Sequence, residues 1–140
     1  RMRDAAGEVV TIYHSPDWIL ADTEFIEDGQ RLALSLLEPF DETNPSESND
    51  LRWIALDRSG NVTELATTTG FSQVASAPGG YVYLYASGPE VGNTMTLEYR
   101  VGAQVQTLFT GQSENSGAAW NLIWTTPGTR VSGLPGFMVQ

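Results

Sequence analysis

His14 is the chain's one histidine, so a Ser-His-Asp relay would have to run through it, with Ser15 and Asp17 as its sequence neighbours. It stands at the end of the apolar run Glu8–Tyr13, where a lone histidine is read as structural or exposed. Asp22, Glu24, Glu27 and Asp28 lie close together and could in principle supply an acid and base pair. Asp28 before Gly29 also suits a turn, and the four are read as turn and surface residues. No catalytic residue is assigned, and no enzyme activity is expected of this chain. Asp41, Glu42, Glu47 and Asp50 are weak calcium candidates in the polar loop Glu38–Asp50. Calcium takes six or more oxygens in a fixed order, and the loop lacks the ligand order and central glycine of an EF-hand. Its composition reads as a solvated excursion facing solvent, with a partner-contact loop as the alternative. Cysteine is absent, which removes disulfides, thiolate metal sites and thiol nucleophiles together. Asn61-Val62-Thr63 matches a glycosylation sequon but opens a hairpin strand. No cofactor is expected.

The elements that would carry these residues are strands. Expected strands are Glu8–Tyr13, Arg31–Leu37, Leu51–Asp57, Asn61–Ala66, Gln73–Ala77, Tyr81–Ala86, Met95–Val101, Gln104–Thr110 and Ala118–Trp124. β-Branched and aromatic residues dominate them, and no segment shows a sustained helical period with caps. Arg31–Leu37 is apolar or small on both faces, which is the pattern of a strand packed between two neighbours. One phrase recurs: an apolar or small stretch, a glycine turn, then an apolar strand, in Phe25–Ala33, Ala75–Tyr83 and Trp124–Val131. Gly29, Gly80 and Gly128 anchor it at spacings of 51 and 48 residues, the period of a repeat of about four strands. A second phrase, glycine then a short strand, recurs at Gly7, Gly60 and Gly102.

Seventeen acidic residues stand against seven basic ones, all arginine, for a net charge of −10. That field repels phosphate backbones and anionic lipid surfaces, so nucleic acid is excluded as an expected partner. No run reaches the roughly 18 apolar residues of a spanning helix, and direct membrane insertion is not expected. A chain opening on Arg1 reads as a processed product or a fragment. Residues 1–70 carry 14 acids and 5 arginines, and residues 71–140 carry 3 acids and 2 arginines. The second half is therefore where partner-covered surface is expected, with Trp120, Trp124, Phe137 and Met138 as partner-binding candidates. Trp18, Tyr81, Tyr83, Tyr85 and Tyr99 are further ring candidates for a carbohydrate platform or protein hot spot. Three tyrosines on one face of Tyr81–Ala86 are read first as packing between sheets.

Phe25–Ala33 resembles the aromatic-Ser-Pro-Asp-Gly turn of the TolB-like propeller repeat, with Glu27 where that family usually has proline. Leu51–Leu65 resembles the repeat's next two strands with their Asp-x-x-Gly turn, and Gly79 and Pro127 stand where later copies usually have Asp. The resemblance implies an all-β, propeller-like array of four-stranded antiparallel blades, about two full blades with parts of two others. The units would be 1–17 in part, 18–70, 71–112, and 113–140 in part. It further implies a non-enzymatic module that binds or scaffolds protein within a larger protein or complex, in an extracytoplasmic setting (periplasmic or cell surface). Alternatives are the propeller portion of an enzyme, such as a serine peptidase gating propeller or a glycosidase-type propeller, and a carbohydrate-binding propeller.

Overall fold

A computed structural model describes residues 2–3, 5–39, 50–87 and 94–112. Among the described residues there is no helix. The strands are β1 (Met2–Arg3), β2 (Val9–Val10), β3 (Ile19–Ile26), β4 (Arg31–Leu37), β5 (Asp50–Asp57), β6 (Val62–Thr69), β7 (Ser72–Ala77), β8 (Gly80–Ser87), β9 (Thr94–Val101) and β10 (Gln104–Gln112). β1 and β2 pair as a short ribbon, while β3–β6 and β7–β10 each form a four-stranded antiparallel sheet in sequence order. Neither four-stranded sheet closes on itself.

Turn chemistry sets the connections. Gly7, Gly60 and Gly102 all take positive φ, as the second phrase anticipated. Between β5 and β6 the Asp57 carboxylate accepts bonds from the Ser59 amide at 2.8 Å, the Asn61 amide at 2.9 Å and the Asn61 side-chain nitrogen at 2.7 Å. These bonds, the Asn61 side chain first, hold the exposed Asp57 carboxyl below its ordinary pKa.

Three readings of the sequence need correction. Gly79, at φ 68°, is the turn glycine between β7 and β8, whereas Gly80 is the first residue of β8. The run Pro78-Gly79-Gly80 hid that one-residue slip, because either glycine fits a turn by type. Second, Ile19–Ile26 is a full strand. Its acids at Asp22 and Glu24 mask the β pattern, and an edge strand tolerates them. Third, Glu8–Tyr13 pairs only at Val9–Val10. The chain then leaves the ribbon so that Tyr13 and Trp18 can pack against Leu34, Leu36, Ile54 and Leu56.

Each sheet has two apolar faces that carry buried residues. In the first sheet, Ile26, Ala33, Trp53 and Ala55 share one face, and Leu34, Leu36, Ile54 and Leu56 share the other. In the second, Val74, Tyr81 and Tyr83 share one face, and Ala77, Val82, Leu84, Met95 and Leu97 share the other. The Ile26 face meets the Tyr83 face, so small Ala33 and Ala55 make room for the tyrosine rings. Tyr81 and Tyr83 are thus inter-sheet packing residues. A Trp53 Nε1 bond to Ser72 Oγ, at 3.0 Å, crosses the same buried seam.

The contact is directional. Ile26 and Ala77 each close the first hairpin of their own sheet. Ile26 lies on the face toward the second sheet, while Ala77 lies on the face away from the first. The sheets therefore stack head to tail, using opposite faces, and β3 and β7 make the main strand-to-strand contact.

Candidate functional site

Where β3 and β7 meet, two hairpin turns grip each other. Glu27 and Asp28 both take left-handed φ, 52° and 55°, ahead of Gly29 at 79°. Non-glycine residues pay for that conformation, so something must hold it. The Glu27 amide donates to the Gly80 carbonyl at 3.0 Å, and the Gly79 amide donates to the Asp28 carboxylate at 3.2 Å. The Glu27 carboxylate turns back onto Arg31, which raises the Arg31 pKa through that bond. Three residues before Gly79, the Ser76 amide donates to Glu24 at 3.3 Å. Asp28 and Glu24 therefore serve as acceptors for main-chain amides 51 and 52 residues away.

At the other end the sheets diverge into a cleft of about 600 Å³, lined by Asp50, Thr67, Thr68, Thr69, Tyr85 and Arg100 among others. Its floor is a closed polar network. The Arg100 guanidinium donates to Glu98 through Nε at 2.9 Å and through an Nη at 2.7 Å, and to the Leu65 carbonyl at 3.1 Å. Leu65 is the bulged residue of β6, so Arg100 satisfies a carbonyl at the irregular point of the neighbouring sheet. Tyr85 donates its hydroxyl to the other Glu98 oxygen at 3.1 Å. Tyr83 stacks on Tyr85 at 5.0 Å between ring centres, and the guanidinium lies 4.6 Å from the Tyr83 ring centre.

Electrostatics follow from this packing. Burial opposes the Arg100 charge, but the Glu98 and Tyr81 side chains more than offset it, and its pKa stands above the ordinary value. Burial pushes the Tyr83 phenol up, against the lowering influence of Ser72 and Arg100. With its ring engaged by both Arg100 and Tyr85, and 3% exposed, Tyr83 offers no free face to a ligand.

The residues singled out from sequence are placed as follows. His14 is exposed, in an unpaired stretch beside Ser15 and Asp17. Asp22, Glu24, Glu27 and Asp28 do not face one another as an acid and base pair, since Glu24 and Asp28 bond separate amides and Glu27 bonds Arg31. Asp50 opens β5, where its carbonyl accepts the Glu38 amide at 3.0 Å. Asp41, Glu42 and Glu47 lie outside the described residues, as do Trp120, Trp124, Phe137, Met138 and Gly128. Among the described residues no three His, Asp or Glu side chains converge as a metal site would require. The Arg100–Leu65 bond and the Asp28 clasp left no sequence signal, because their partners are main-chain atoms of the neighbouring sheet. Compared with known proteins, the chain matches no family model, no curated protein and no solved structure.

Proposed function

We propose that the chain is a segment of a β-propeller-type assembly, two stacked blades with parts of neighbouring ones, acting as a non-enzymatic module that binds or scaffolds protein. The observation that carries the reading is the head-to-tail stack. A heterologous contact uses two different faces, so a pair of units always leaves one of each kind at its ends. The first sheet's outer face is such an end. Tyr13 and Trp18 cover its middle, but the cross-strand row Phe25–Leu32–Leu56–Val62 finishes in two residues that are 52% and 53% exposed. Exposed large apolar side chains at both ends of one row fit a surface met by another protein or by another blade.

Photo-crosslinking tests this in the cells that express the protein. A photoreactive residue at position 25 or 62 is expected to trap the same protein segment. One at Arg58, on an exposed turn, is the control. Adducts from 25 and 62 no more frequent than from 58 refute a binding role for this face. Turnover of a substrate by the chain alone would refute the non-enzymatic reading.

A further inference from the structure

We propose that β10 is a self-association edge, along which two copies of this chain pair antiparallel and join their second sheets into one eight-stranded sheet. This goes beyond the blade reading and holds whether or not the two sheets are blades.

An edge strand presents unpaired amides and carbonyls, and proteins blunt such edges with charge, proline or cover. Three of the four edges here are blunted. β3 carries Asp22 and Glu24, and β6 carries Glu64, paired with Arg52 at 2.7 Å. β7 is held against the first sheet through the Ser76 amide. β10 carries a bulge at Leu108 but neither charge nor proline in Gln104-Val105-Gln106-Thr107-Leu108-Phe109-Thr110-Gly111-Gln112. Among the described residues it pairs with β9 alone. Every residue of it but Gly111 is exposed, including Val105 at 57% and Phe109 at 48%.

The occupant is a second copy because the strand complements itself. Its register with β9 slips between Thr107 and Phe109, which makes Leu108 the extra residue and confines the irregularity to the middle of the strand. A two-fold axis at Leu108 sets Gln104 against Gln112, Val105 against Gly111, Gln106 against Thr110 and Thr107 against Phe109, with no like charges opposed. Charge placement points the same way. In the described part of the second sheet the charged residues are Glu98 and Arg100, bonded to each other. The acidic surplus belongs to residues 1–70, so pairing at β10 keeps the two surpluses apart.

The 140-residue chain has no cysteine, so a single introduced one reports its own position. Under mild oxidation Leu108→Cys is expected to give a covalent dimer. The two-fold places residue 108 against itself with Cα atoms about 4.5–5.5 Å apart, inside the span of about 4.4–6.8 Å that a disulfide bridges. Val62→Cys, on the first sheet and 53% exposed against 42% for Leu108, is expected to stay monomeric. Light scattering on the unsubstituted chain should give twice the monomer mass. Val105→Lys, with its melt unchanged, should give the monomer mass. The proposal is overturned by a monomer at the highest soluble concentration, by open-ended oligomers, or by a dimer that survives Val105→Lys. It is overturned equally if Val62→Cys crosslinks as fast as Leu108→Cys, which would place the contact on the first sheet's outer face. Should Leu108→Cys fail to fold, a mixture of Thr107→Cys and Phe109→Cys chains replaces it, since the two-fold sets 107 of one copy against 109 of the other, and a covalent dimer should form in the mixture and in neither variant alone.

Discussion

Whether the two sheets fold as one body can be tested at a single buried bond. Trp53, 1% exposed, donates its indole N–H to Ser72 Oγ at 3.0 Å, and Ser72 is itself buried. Ser72→Ala leaves that N–H buried with no acceptor, a loss of about 1–3 kcal/mol. Trp53→Phe leaves the hydroxyl without its donor at a similar cost, and the smaller ring fills the seam less well, which adds to it. In the double variant neither orphan remains, so the two losses should overlap by about 1–2 kcal/mol. For a chain of this length that coupling amounts to several degrees, at about 4 °C per kcal/mol. Urea unfolding of the four proteins, followed by circular dichroism, measures the cycle. Losses that add to within about 0.5 kcal/mol would show that the bond carries no energy between the sheets. Two separate transitions in the unsubstituted protein would refute a single cooperative unit altogether.

Two further outcomes follow from particular atoms. Gly79→Ala must hold φ 68° in open space and should cost about 1–2 kcal/mol. Gly80→Ala drives its methyl onto the Arg100 carbonyl oxygen and should cost more, about 3 kcal/mol, so thermal melts ranking the two the other way would contradict the turn assignment. Tyr83, held above the ordinary phenol pKa by burial, contributes stability that is full below about pH 10 and is lost as pH rises beyond it, because the unfolded chain ionises first. Urea midpoints measured across that range should fall less steeply in Tyr83→Phe, and an identical slope would mean that Tyr83 is not the group responsible.

What could be read from the sequence was what depends on neighbours in sequence. Gly7, Gly60 and Gly102 announced their turns because positive φ is a property of the residue itself. Tyr81, Tyr83 and Tyr85 announced an inter-sheet face because a period of two fixes which side chains share a side. β3 escaped notice because an edge strand need not alternate cleanly, and its acids read as surface. The true work of Glu24 and Asp28 was hidden for a different reason: a carboxylate bonded to the amides of Ser76 and Gly79 leaves no mark on the residues at 76 and 79. The cleft was hidden likewise, since it exists only where β6 and β8 diverge.

That last kind of bond sets how the chain can drift. At the clasp, Glu24 and Asp28 supply side chains while positions 76 and 79 supply only N–H groups, which every residue but proline possesses. The bond at position 76 therefore asks nothing of the side chain except that it not be proline, and position 79 is limited by its φ and not by the Asp28 bond. The obligation falls on one partner alone. Two units joined in this way can lose resemblance to each other in sequence while keeping their alignment in space, because the lock recognises a backbone and is indifferent to the letter written there.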